Sequence, residues 1–92
     1  MVKIRIAAEV FFLDRTSGRS LQLQIRETVI ASILSGQAMS GVLMPSSRKL
    51  AAHLGVARMT VSLAYQELVV QGYLETQSRS GSRVAQSDAI PI

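Results

Sequence analysis

The run "KLAAHLGVARMTVSLAYQEL" (49–68) limits the fold more than any other part of the chain. It holds a small residue, Ala51, then Gly55 four positions on, then the branched Val61 six positions beyond the glycine. Two helices that cross steeply through a tight turn need these residue types at these offsets. The alanine lets the second helix pass close to the first, and the glycine takes the positive φ of the turn at no steric cost. Val56 plugs the corner and Val61 faces inward, with Leu50, Leu54, Ala64, Tyr65 and Leu68 continuing the core. That leaves Arg58, Met59, Thr60 and Ser62 at the exposed start of the second helix. An ordinary αα-hairpin uses alanine, glycine and aliphatic residues too, so the offsets alone do not separate the two.

The flanks narrow the choice. Leu21, Ile25, Val29 and Ile33 recur every four residues with Ile30 and Leu34 beside them, which predicts one apolar helix face. Ser20 is placed to cap this helix and Gly36 to end it. "VLMP" (42–45) reads as a brief strand stopped by proline, and Ser46 as the N-cap of "SRKLAAHL". A further helix over about 58–71 ends at Gly72, with Tyr73 and Leu74 suited to a hydrophobic helix-end motif. "YLETQ" and "SRVAQ" are short strands separated by "SRSG", so a small hairpin follows. The order is mainly α with a small β-hairpin, three helices plus a wing: a winged helix-turn-helix over residues 20–85. Residues 1–19 form an N-terminal segment with a short strand pattern at "VKIRI" and turn chemistry in "FFLDRTSGRS" (11–20). "VKIRI" and "VFFL" are apolar enough either to pair with a second copy or to cover the core. Residues 86–92 read as the start of a linker or a frayed tail.

Composition excludes several function classes. Ninety-two residues suffice for one domain, and the absence of cysteine removes disulfides and thiolate metal sites. One histidine leaves no credible zinc set. Arg5, Glu9 and Asp14 interrupt the most apolar early stretch, so neither a membrane span nor a secretory core is expected and the default compartment is the cytoplasm. The net charge of +4 suits nucleic acid, an anionic membrane surface, or simply a soluble domain with surplus arginine.

A recognition helix enters the major groove by its N-terminal end, where base edges are within reach. Arg58 can fork onto guanine or grip a phosphate, Thr60 and Ser62 can hydrogen-bond either, and Met59 can touch a thymine methyl. Arg48 and Lys49 open the preceding helix, which crosses the sugar–phosphate backbone in this motif, and Ser47 joins them as a DNA-binding position. In the hairpin, Arg79 and Arg83 flank Ser80, Gly81 and Ser82, a basic tip suited to a minor groove. The competing reading is a winged-helix module that binds protein and leaves DNA alone. Ser46-x-x-Lys49 matches an enzyme motif, but Ser46 is better explained as a cap, and His53 as a surface or packing residue; no enzyme is expected.

"MPSSRKLAAHLGVARMTVSLAYQELVVQGYLETQSRSGSRVA" (44–85) closely resembles the GntR family of bacterial transcription regulators. The likeness extends back through "LQLQIRETVIASILSGQAMSG" (21–41), and "PSSR", "AY", "GYL" and an early "LDR" are most similar to its MocR/PdxR subfamily. The resemblance implies a DNA-binding head in which Arg48, Arg58, Met59, Thr60 and Ser62 face DNA. It also implies a much larger C-terminal domain, similar to an aminotransferase, that binds pyridoxal phosphate and forms a homodimer. Two heads would then read an operator of two half-sites. The 92 residues look like the N-terminal head alone, without a cofactor of their own; Lys3 and Lys49 are the only lysines, neither in a Schiff-base context. Three departures stand out. Ala57 replaces the usual capping serine, Arg79 and Arg83 replace a glycine and an apolar anchor in the wing, and Met59 is bulkier than usual.

Overall fold

The computed structural model describes residues 11–77 and 81–85. Three helices, α1 (Leu21–Leu34), α2 (Ser47–Leu54) and α3 (Arg58–Val70), are followed by strands β1 (Leu74–Gln77) and β2 (Gly81–Val84). Helix α3 is central, packing on α1, α2 and β1. "VKIRI", Arg79, Ser80 and the tail lie outside the described residues.

Helix α1 starts where Ser20 accepts a hydrogen bond from the Leu23 amide at 2.9 Å. Ile25, Val29 and Ile33 are buried as the four-residue spacing predicts, but Leu34 points to solvent. The other residues buried on that helix are polar, Gln24 and Ser32. Ser32 donates to the Thr28 carbonyl and Thr28 to the Gln24 carbonyl, both at 2.9 Å, so neither hydroxyl is stranded.

Ser46 caps α2 by accepting from the Lys49 amide at 3.1 Å, and Gly55 ends it with φ 68°. The Val56 amide reaches back to the Ala51 carbonyl at 3.1 Å, closing the turn around that glycine. Helix α3 ends likewise, with Gly72 at φ 90° and the Tyr73 amide bonded to the Leu68 carbonyl at 3.0 Å.

Strands β1 and β2 are antiparallel, with Leu74 opposite Val84 and Gln77 opposite Gly81. The expected strand at 42–45 is a single bridge, Leu43 to Arg83, flanked by bonds from Met44 to Ser82 and from Val84 to Val42. Pro45 explains its brevity, because proline has no amide to extend the ladder. The core runs from Phe11 through Ile25, Val29, Met44 and Leu50 to Val61, Leu68, Leu74 and Val84. Phe11 is buried in it and Leu13 packs against it, whereas Phe12 is 84% exposed.

Candidate nucleic-acid interface

The starts of α2 and α3 carry the positions singled out by sequence. Arg48 and Lys49 are exposed in the first turn of α2, and Arg58 and Met59 in that of α3. Thr60, Ser62 and Ser47 are half-buried, deeper than the spacing alone suggests. The Arg58 Nε donates to Ser47 Oγ at 3.3 Å, which joins the two helix starts into one surface. No acidic residue lies in the first turn of α2 or α3. The helix dipoles and three cations therefore add without local opposition, a surface that attracts phosphate.

The two starts differ in one respect. Ala57 precedes α3 with extended backbone and makes no side-chain cap, as its identity predicts. The Thr60 amide donates to the Ala57 carbonyl at 3.0 Å across that turn.

Behind this surface, the Tyr65 hydroxyl donates to the Pro45 carbonyl at 2.7 Å. Burial pushes the Tyr65 phenol well above its ordinary pKa, so it remains a neutral donor. That bond ties α3 to the residue immediately before the α2 cap. A groove of about 490 Å³ runs beside it, lined by Ser47, Ser62, Thr76 and Ser82 among others, between α3 and the hairpin.

The hairpin is placed differently from the helix starts. Arg83 lies two pairs in from Gln77–Gly81, opposite Glu75, and its Nε donates to that carboxylate at 3.1 Å. Its guanidinium is thus engaged within the sheet. Gly81 opens β2, and the side chains at the tip lie outside the described residues.

Sequence reasoning passed over a third group. Arg15 Nη2 donates to the Leu54 carbonyl at 2.5 Å and the Gly55 carbonyl at 3.2 Å, capping the C-terminal end of α2. Arg15 belongs to a turn in which Asp14 Oδ1 accepts from the Thr16 amide at 3.0 Å and its hydroxyl at 2.7 Å. Those bonds hold Asp14 below the ordinary carboxylate pKa. Gln24 anchors the turn to α1, accepting from the Asp14 amide at 2.7 Å and donating to the Asp14 and Arg19 carbonyls at 2.9 and 3.1 Å. The signal that could have found it is a buried-face glutamine beside an Asp-x-Thr turn.

Pyridoxal phosphate does not fit these residues. Lys49, the one lysine among the described residues, is exposed beside Arg48 and lines neither the groove between α3 and the hairpin nor the one between α1 and α3, whereas an aldehyde cofactor needs an enclosed lysine. Among the described residues there is also no cluster of potential metal ligands, and no helix is long and apolar enough to cross a membrane.

Comparison with known proteins agrees with this geometry. Residues 21–84 match the model of the family described as bacterial regulatory proteins, gntR family. The transcriptional regulator TauR of Rhodobacter capsulatus is 51% identical over 80 residues, 87% of this chain and 16% of that protein. MocR of Rhizobium meliloti, a probable rhizopine catabolism regulatory protein, is 40% identical over 73 residues, 79% of this chain and 15% of its own. The chain thus spans about one sixth of the length of these relatives. Among solved structures, the DNA-binding domain of AraR in complex with operator ORE1 superposes with a TM-score of 0.69 at 27% identity, covering 80% of this chain and 90% of that one. The chain belongs to the gntR family of bacterial regulators, is similar to its MocR-like members, and is a winged helix-turn-helix DNA-binding domain.

Proposed function

We propose that this domain reads a specific duplex operator with the start of α3 in the major groove. Arg58 and Met59 meet base edges, with Thr60 and Ser62 supporting them from the same turn. Ser47, Arg48 and Lys49 at the start of α2 grip the adjacent backbone. The observation that carries the reading is the joined start of α2 and α3, where the Arg58–Ser47 bond unites cations and helix dipoles with no acid in either first turn.

Arg79, Ser80 and Gly81 approach the minor groove in this reading, and Arg83 reaches it only by leaving Glu75. The domain works without catalysis, in the cytoplasm, as the head of a longer regulator whose further domain pairs two heads over two half-sites. Any pyridoxal phosphate belongs to that further domain.

Selection of binding sites from random duplex DNA tests the reading, followed by titration of the winner with salt. A selected duplex bound well above random DNA is the expected result, with log affinity falling by about 0.9 per phosphate contact for each decade of salt. Equal affinity for selected and random duplexes would refute specific reading. Salt-insensitive binding would favour the protein-interaction module instead.

A further inference from the structure

We propose that Arg15 is a positioning residue for DNA reading: it caps the end of α2 and so sets the angle at which α3 is presented, without touching DNA itself. The proposal rests on the operator-reading function above.

Three observations meet at this side chain. Its Nη2 lies within hydrogen-bond distance of two successive carbonyls, those of Leu54 and Gly55, where α2 ends and the turn begins. A cation at that point also complements the negative end of the helix dipole. The second is the glycine itself: a Cβ built on Gly55 would sit 3.6 Å from the same Nη2, so the guanidinium lies over the face of the turn that a side chain would occupy. The third is that Arg15 is held from behind. Asp14 and Thr16 close the turn that carries it, and the buried Gln24 fixes that turn to α1 through both halves of its amide.

The consequence follows from lengths. Gly55 is three residues from Arg58, and α3 has no side-chain cap to define its own start. Its direction is therefore set by what holds the turn and by its packing on α1 and α2. Tyr65 holds the far end of the pair through Pro45. Arg15 holds the near end. A turn freed of Arg15 leaves the core intact but lets the first turn of α3 sample several approach angles, and base readout tolerates little misalignment.

The test uses the 92-residue chain with Arg15→Ala and Arg15→Lys, the selected duplex, and a random duplex of equal length. Arg15→Ala is expected to keep its fold and to bind the selected duplex about three- to tenfold more weakly. Its affinity for random DNA and its salt slope should stay near those of the parent. In the free protein, amide exchange should quicken at Val56 and Thr60, whose bonds close the turn, and remain unchanged in α1. Arg15→Lys should recover part of the selected-duplex affinity.

Equal losses on both duplexes, with the salt slope reduced by about 0.9, would make Arg15 a phosphate contact and overturn the proposal. So would exchange that quickens uniformly with unaltered affinity of the folded fraction, or no change in any readout. A parent chain that fails to discriminate selected from random DNA would instead bring down the operator-reading function. Local exchange at Val56 and Thr60 tells that failure apart, because it is measured without DNA.

Discussion

Helices α2 and α3 begin in opposite ways. At α2, Ser46 caps the first turn, while at α3 Ala57 occupies the equivalent place and accepts nothing with its side chain. Helix α2 is also held at its other end, by Arg15 on Leu54 and Gly55. The contrast separates two demands on one motif. In the proposed reading, the helix that lies along the DNA backbone is held at both ends, whereas the helix that reads bases starts without a side-chain cap.

Arg58→Ala puts the largest strain on this comparison. It should weaken binding to the selected duplex by about 1–3 kcal/mol if Arg58 reads a base, measured by fluorescence anisotropy, with thermal stability nearly unchanged. A uniform loss on all duplexes would make Arg58 a backbone grip like those of α2, and the distinction between the helices would shrink. Tyr65→Phe should cost about 1–3 kcal/mol of stability in urea unfolding, because the Pro45 carbonyl at the buried approach to α2 loses its donor.

Ser46→Ala should cost about 1 kcal/mol, read as a fall in melting temperature of about 4–8 °C. The reciprocal change, Ala57→Ser, should add about 0.5–1 kcal/mol to the free chain. Its effect on DNA sharpens the comparison. Greater stability with weaker binding would mean that the bare amides of α3 meet DNA, and gains in both would mean that they do not.

The smallest effect concerns the far end of α2. The Asp14 carboxylate has a folded pKa lowered by its bonds from Thr16, so its support for the turn carrying Arg15 is complete above about pH 4. That support is lost as pH falls through the lowered value. Amide shifts at Thr16 should titrate in that acid range, while those at Lys49, whose amide is held by a serine that does not ionise, should not.

Much of this was readable from residue types. Ser20, Ser46, Gly55 and Gly72 mark helix ends because capping hydroxyls and positive-φ glycines act over four residues at most, and the sequence shows those four residues together. The missing cap at Ala57 was legible for the same reason. Spacing was less reliable where burial depended on neighbours: it put Leu34 beside an apolar face that the fold fills with Gln24 and Ser32.

By itself, then, the sequence determined the helices, their ends, the turn at Gly55 and the basic starts of α2 and α3. All are local consequences of period, backbone freedom and charge. Tertiary structure alone decided which polar groups meet across the chain. It brought Arg15 to Leu54 over 39 residues, Tyr65 to Pro45 over 20 and Arg83 to Glu75 across the hairpin. Such pairings depend on where packed helices place one another, and no short-range pattern encodes that.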